Sequence, residues 1–450
     1  MLSIFNRGFA PRREIPKEQL SIVLDRQQEK AVHTTENQVL VVAGAGSGKT
    51  RVLTERVKYL LESGVPPQNI IAITFTNLAA DEMKERLREV ENIGDCFIGT
   101  IHSFANKIMS LTDVNYKILT TEAQIEIYKE LISKYCKHLT FDRYLDYYDM
   151  VQKYELGYVS EAEVNNFLNV SEATEYRFLS KDLPVVDDYP ETMKTVAKQR
   201  NYIDFDELLR IAIDYFKENK IEPEHVLVDE FQDVGTLEFN FVYSLEAKNY
   251  FFVGDDWQSI YGFKGGNVEL FLKLIQSGEV TTYYLTNNYR CAKKIIEMGD
   301  TVISQVENKV TKEITALSDK EGTVTVMSKA YGIEKMIENL RKKEVPFKDV
   351  FVLARSNKDM FMLRDTLLSE GIPCDTFKRE GMSLTELNNM MNRNSVKVLT
   401  VHTSKGLEAN TVYLYGNFPV HCPHYLKNEE ERKVMYVGVT RAKEHLYILN

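Results

Sequence analysis

Several familiar features are scarce in this 450-residue sequence, and each scarcity removes a class of protein. The five cysteines (Cys96, Cys136, Cys291, Cys374 and Cys422) are scattered and form no CxxC pair. That pattern argues against a disulfide framework, structural zinc or an iron–sulfur cluster, and for a reducing, cytoplasmic compartment. The short HCPH at His421 to His424 offers too few ligands at a recognised metal spacing. No apolar run approaches the roughly 18 residues a spanning helix needs, so no membrane segment is expected. Basic residues are not in excess: 56 Lys and Arg face 66 Asp and Glu, a net charge of −10. Any surface for a polyanion must then be a local basic channel on an acidic body. Residues 1–20 lack the apolar core of a secretory signal, and their three arginines read as a flexible basic arm rather than a transit peptide.

What is present is an ordinary globular composition, 44% hydrophobic and 27% charged, long enough for two to four domains. The chain is organised around VLVVAGAGSGKTR, Val39 to Arg51. Four β-formers read as a buried parallel strand, then a Gly-rich turn, then Lys49 and Thr50 opening the helical run VLTERVKYLL. Strand, loop and helix in that order turn a Walker A match into a phosphate site, even with Ala43 at its first position. Backbone N–H groups of Ala43, Gly44, Ala45, Gly46, Ser47 and Gly48 face the phosphates. Lys49 reaches the β/γ groups, and the Thr50 hydroxyl is offered to Mg²⁺. The chain is expected to bind a nucleoside triphosphate.

Upstream, LDRQQEKAV (Leu24 to Val32) reads as a short helix whose Gln28 amide can pair with a base edge. Downstream, IIAITFT is a second buried strand, and TNLAADEMKERL opens with the cap residues Thr76 and Asn77. Phe75 at that strand's tip can stack on a base. In GTIHSFANKIM, Thr100 and His102 again follow a short strand, where doubly wound sheets hold their ligands. From about 111 to 200 the β signal fades and helical, Tyr-rich runs take over. The stretch reads as a mostly helical insertion whose tyrosines serve packing or nucleic-acid stacking. YIDFDELLR (Tyr202–Arg210) reads as a capped helix. In HVLVDEFQDV a strand ends in Asp229 and Glu230, costly in a buried place without a cation or water. Asp229 is expected to hold Mg²⁺ and Glu230 to deprotonate an attacking water. NYFFVGDDWQSIYGFKGG ends another strand in Gln258, then Tyr261, Phe263 and Lys264, which joins a phosphate-facing amide to stacking rings. LTNNYR presents Tyr289 and Arg290. A second β/α series follows, with TVTVM, DVFVLAR, VKVLTVH, TVYLYG and HLYIL as strands, and with Lys405, Glu408 and Arg441 as its charged features.

In order and spacing these blocks closely resemble UvrD/Rep/PcrA-type superfamily 1 DNA helicases, from LDRQQEKAV through AGAGSGKTRVL, VLVDEFQD, VGDDWQSIYGFKGG and LTNNYR to VLTVHTSKGLE and YVGVTRAKEHL. The resemblance implies an α/β fold of two RecA-like P-loop NTPase domains, with ATP between them and single-stranded DNA running across both. The expected division is 21–110 and 201–285 for the first domain, 111–200 for its insertion and 286–450 for the second. By matching position, Gln28, Arg51 and Tyr289 would hold adenine, and Lys49 and Thr50 phosphate and Mg²⁺. Asp229 and Glu230 would be metal carboxylate and base, and Gln258 the γ-phosphate sensor. Arg290 and Arg441 look like arginine fingers, and Glu408 would contact the ribose and phosphate side. The DNA set is Phe75, Thr76, Asn77, Thr100, His102, Tyr261, Phe263, Lys264, Thr400 and His402.

Three departures stand out. Leu78 replaces the usual Lys, and Phe263–Lys264 replaces Trp–Arg. Only 109 residues separate Arg290 from Thr400, where relatives carry a large helical domain, and nine follow Arg441. The expectation is an ATP-dependent 3′→5′ helicase acting on single-stranded or 3′-tailed DNA. One alternative is a translocase or DNA-sensing ATPase working with a nuclease or other protein partner, as in short phage-defence subunits. Another is a nucleic-acid-binding module with a vestigial ATPase.

Overall fold

The computed structural model describes residues 24–90, 93–110, 112, 115–135, 196–262, 266–342, 345–379, 381–418 and 429–450. Before the inserted region come β1 (Gln38–Ala43), β2 (Ile70–Thr74) and β3 (Phe97–Thr100). The inserted region contributes β4 (Lys117–Ile118) and β5 (Tyr202–Ile203), and then come β6 (His225–Val228), β7 (Asn249–Gly254) and β8 (Thr281–Leu285). Six of these form one parallel sheet in the order β3-β2-β6-β7-β1-β8. Every residue of β2, and every residue of β1 after Gln38, is buried. Burial on both faces is why these strands read as unbroken apolar runs.

Helix α1 (Arg26–Val32) precedes β1, and α2 (Lys49–Glu62), α3 (Asn77–Arg86) and α4 (Ile101–Met109) follow β1, β2 and β3. Asp25 and Gln28 close a capping box at the start of α1. Thr76 caps α3 by accepting the Ala79 N–H. Buried Arg56 of α2 donates to the Val32 and Thr34 carbonyls at 2.6 and 2.7 Å, fixing the end of α1 against α2.

Residues Ala105–Ala212 form a compact unit of their own. Its described part includes α5 (Thr121–Tyr135) and the parallel pair β4–β5. Arg200 reaches both carboxylate oxygens of Glu130 at 2.8 Å. Residues 136–195, with most of the expected helical insertion, lie outside the described residues. One expectation changes here: Tyr202 and Ile203 are strand, not helix, because they pair with Lys117 and Ile118. The helix begins at Phe205, after Asp204 accepts the Glu207 N–H at 2.8 Å.

The remaining strands are β9 (Asn287–Asn288), β10 (Thr315–Ala316), β11 (Thr323–Met327), β12 (Val350–Ala354), β13 (Cys374–Asp375), β14 (Val396–Thr400), β15 (Ala409–Tyr415) and β16 (Ala442–Leu449). β9 and β10 pair by themselves. The others form a second parallel sheet ordered β11-β16-β15-β12-β14-β13. Two parallel sheets of this kind, the first opening with the phosphate loop, are two RecA-like P-loop NTPase domains. Among the described residues, no helix is long and apolar enough to cross a membrane.

Candidate nucleotide site and nucleic-acid face

The phosphate loop leaves β1 at Ala43 and enters α2 at Lys49. Gly46 and Gly48 sit in the left-handed region, with φ of 67° and 86°. A Cβ at Gly48 would come within 2.8 Å of the Gln28 amide nitrogen, and one at Gly46 within 2.8 Å of Arg290 Cβ. Only glycine meets both demands. Gly48 caps α2 without a side chain, so the positive end of that helix opens into the loop. Ser47 Oγ donates to the Gly44 carbonyl at 2.8 Å and tightens the turn.

Gln28 is buried beneath this loop. Its Nε2 donates to the Ser47 carbonyl at 2.9 Å, and its Oε1 accepts the Asp25 N–H at 3.2 Å. The amide expected at the base thus secures the loop in this state. Tyr289 is 47% exposed; its hydroxyl bonds to the Asp25 carboxylate, and Arg51 lies within electrostatic reach of it. Asn288, which the sequence reading passed over, is almost fully buried. Its Nδ2 donates to the Ala45 carbonyl at 2.7 Å, while its Oδ1 accepts the N–H groups of Arg290 and Cys291, each at 2.8 Å. The LTNNYR block therefore presses its second asparagine against the phosphate loop.

The acid pair stands at the tip of β6. Thr50 Oγ1 donates to Asp229 Oδ2 at 3.4 Å, and Asp229 Oδ1 accepts the Glu230 N–H at 2.9 Å. Glu230 itself has φ 50°, in the left-handed region that residues other than glycine seldom adopt. Lys49 lies between two acids, 3.7 Å from Glu230 and 3.9 Å from Asp255. Burial, then the charge of Glu230, pushes the Asp229 carboxyl above the usual range. Burial also acts on Glu230, but Lys49 and Lys405 outweigh it and hold that carboxyl low. A buried acid short of positive charge beside a hydroxyl suits a divalent cation with oxygen ligands.

Gln258 follows β7. Its Nε2 donates to Asp255 Oδ2 at 2.5 Å, and its Oε1 accepts from Arg441 Nη2 at 3.0 Å. Arg441 is 1% exposed and also donates to the Val437 and Leu407 carbonyls at 2.9 and 3.2 Å. Arg290 donates to Glu408 Oε2 at 2.6 Å, and Lys443 holds the other Glu408 oxygen at 2.6 Å. Lys405 bonds to Asp233, donates to the Gln258 carbonyl at 3.0 Å and lies 5.0 Å over the Tyr261 ring. The sequence reading passed over Asp255, three residues before Gln258.

Phe75 and Tyr261 stack with centroids 5.2 Å apart, and Phe75 is 37% exposed. His402 sits beside them, 6.1 Å from the Tyr261 ring, and its own ring bonds to the Ile260 backbone. Thr400 caps the short helix that carries His402, through the Thr403 N–H at 3.2 Å. Thr76 and Asn77 are exposed beyond β2, while Thr100 ends the adjacent β3 and His102 follows it in α4. Leu78, at the position of the family's usual lysine, is turned into the interior at 5% exposure. Phe263, Lys264 and the HCPH stretch lie outside the described residues.

A phosphate loop after β1, an acid pair at the tip of β6 in the same sheet and an arginine, Arg441, immediately before β16 of a second parallel sheet define the class, two-domain P-loop NTPases of the RecA type. Within that class, the UvrD/REP helicase N-terminal domain matches residues 24–278, and the UvrD-like helicase C-terminal domain matches 283–383 and 376–450. The chain belongs to the UvrD/REP helicase family. A probable DNA helicase of Mycoplasma pneumoniae is 29% identical over 94% of this chain and 83% of its own length. The ATP-dependent DNA helicase PcrA of Bacillus subtilis is 30% identical over 79% of this chain and 50% of its own, and that of Leuconostoc citreum 31% over 79% and 50%. The chain spans about half the length of these PcrA relatives.

Proposed function

We propose that this chain is an ATP-hydrolysing motor that moves 3′→5′ along single-stranded DNA and separates a 3′-tailed duplex. The observation that carries the reading is the side-chain path Lys49–Asp255–Gln258–Arg441, which runs from the phosphate loop to an arginine of the second sheet. In this reading the loop amides of Ala43–Gly48 and Lys49 bind the β/γ-phosphates, while Gln28, Arg51 and Tyr289 hold the adenine and Glu408 faces the ribose. Thr50 and Asp229 hold Mg²⁺, which when bound screens the phosphate charge and polarises the γ-phosphoryl group. Glu230, kept ionised by its lysine neighbours, takes the proton of the attacking water. Gln258 senses the γ-phosphate, and Arg290 exchanges Glu408 for it as Arg441 approaches.

Coupling follows from chain connectivity. Gln258 lies three residues before Tyr261, so a shift at the γ-phosphate is carried into the ring stacked on Phe75. Phe75, Tyr261 and Phe263 stack on bases, and Thr76, Asn77, Thr100, His102, Lys264, Thr400 and His402 line the backbone track. Stacking tolerates any base sequence, which a translocating motor requires. One observation favours a second reading, a translocase or sensor that needs a nuclease or other protein to separate strands. The C-terminal family domain matches in two overlapping stretches, 283–383 and 376–450, and only 109 residues lie between Arg290 and Thr400.

The test is steady-state ATPase with and without single-stranded DNA, alongside unwinding of 3′- and 5′-tailed duplexes by the isolated chain. Stimulated hydrolysis with unwinding of the 3′-tailed duplex alone is the expected result. Stimulation without unwinding would move the conclusion to the partner-dependent reading, and no stimulation would overturn the DNA-motor reading.

A further inference from the structure

Behind the phosphate loop lies a charge cluster whose lysine, Lys312, has no part in the proposed chemistry. The segment Val310–Leu317 follows the helix Lys293–Ile303 in sequence and straps back across the ends of β1 and β7. Val310 N donates to Asp256 Oδ2 at 2.7 Å, and Trp257 Nε1 donates to the Val310 carbonyl at 2.9 Å. Thr315 and Leu317 donate to the Thr286 and Asn288 carbonyls, each at 2.9 Å. Ile314 lies over Gly44 so closely that a Cβ there would overlap its side chain. At the centre of the strap Lys312 has no exposed side-chain surface. Its Nζ donates to Asp255 Oδ1 at 2.6 Å, Asp256 Oδ1 at 2.8 Å and the Ala43 carbonyl at 3.2 Å, and lies 4.4 Å over the Trp257 ring.

All three protons of that ammonium are spoken for within protein, and no phosphate is needed to explain it. Asp255 supplies the reason for its position. The other Asp255 oxygen stands 3.9 Å from Lys49 and accepts the Gln258 amide. An uncompensated carboxylate there would both repel the incoming γ-phosphate and retain Lys49 for itself. Burial works against both charged forms, yet mutual attraction keeps the Asp255 carboxyl below its ordinary range and the Lys312 ammonium above its own.

We propose that Lys312 is a positioning residue for ATP: it neutralises Asp255, so that Lys49 is released to the phosphates and Gln258 stays aimed at Arg441. The inference rests on the nucleotide-binding part of the proposed function, not on DNA movement. Because the strap also bonds to the LTNNYR block, Lys312 ties the arginine-bearing segment to the state of the phosphate site.

The experiment measures Mg–ATP binding by calorimetry, and KM and kcat for hydrolysis, on the full chain carrying K312M, K312R, D255N and K312M/D255N. K312M should raise Kd and KM for ATP about tenfold or more, because Lys49 then stays with Asp255. K312R keeps the charge and should stay within about threefold of the parent chain. Adding D255N to K312M should bring Kd and KM back to within about threefold, because the carboxylate that retained Lys49 is gone. A purely structural lysine would give no such recovery. Unchanged ATP affinity in K312M, or no recovery in the double variant, would overturn the proposal. Should K312M fail to fold, the charge-matched double variant carries the test, and a tenfold weaker affinity there would refute it. Hydrolysis that DNA fails to stimulate would defeat the motor reading and leave this binding comparison intact.

Discussion

The two proposed working faces of this molecule are built on opposite plans. At the nucleotide edge the charged groups are buried and already paired with one another: Arg441 with Gln258, Gln258 with Asp255, Asp255 with Lys312. At the aromatic face Phe75 is left partly in solvent, its outer surface free for another ring. The difference matches the proposed ligands. A triphosphate brings several charges, so its site must be prearranged and internally neutralised before the ligand arrives. A nucleic-acid strand of any sequence brings π-faces and a regular backbone, so a stacking platform is enough. The first sheet supplies both faces from the C-terminal tips of its strands, where doubly wound sheets hold ligands. The second sheet meets the nucleotide side with residues just before its strands, Glu408 before β15 and Arg441 before β16.

The sharpest way to separate the faces is Glu230→Gln. It should lower kcat by roughly 10²–10⁴ and leave DNA affinity nearly unchanged. Steady-state turnover and fluorescence anisotropy on the same preparation check this, and a comparable loss of DNA binding would mean that the faces are not separable. Phe75→Ala should do the converse, weakening DNA binding by about 1–3 kcal/mol with basal hydrolysis preserved. Equal loss of basal and stimulated rates would reduce Phe75 to a packing role.

The smallest effect concerns pH at the join between the faces. Burial and then Arg355 hold the His402 imidazole down to about 4, well below the ordinary 6.5. The unfolded chain therefore binds more protons than the folded one between those values. His402 thus costs stability progressively as pH falls from 6.5 towards 4 and nothing above that window. The difference in Tm between the parent chain and His402→Gln should shift against the parent as pH drops from 7 to about 4.5. A constant difference would show that the ring is solvated.

Much of the site was legible because its motifs are local. A strand, a Gly-rich turn and Lys49–Thr50 are consecutive, and the apolar run before Asp229–Glu230 marks a strand tip without any knowledge of neighbours. The helix cap at Thr76 was similarly readable. Tyr202 and Ile203 were not, since the partners that make them strand are contributed by Lys117 and Ile118, 85 residues away. Gln28 illustrates a subtler limit. Its place beside the loop was foreseeable, but an amide has two ends, and only packing decides that both meet backbone here.

The sequence by itself determined the fold class, the phosphate loop, the acid pair and the order of the two domains, because each is written in contiguous residues whose spacing dictates their local geometry. Tertiary structure alone decided which charges neutralise which. Lys312 and Asp255 are 57 positions apart, and neither carries a local signature. Their pairing depends on a strap of chain returning over β1 and β7, and no spacing rule encodes that return. Electrostatics acts through space at a few ångströms, whatever the distance along the chain, so the map of compensation around Lys49 had to wait for the fold.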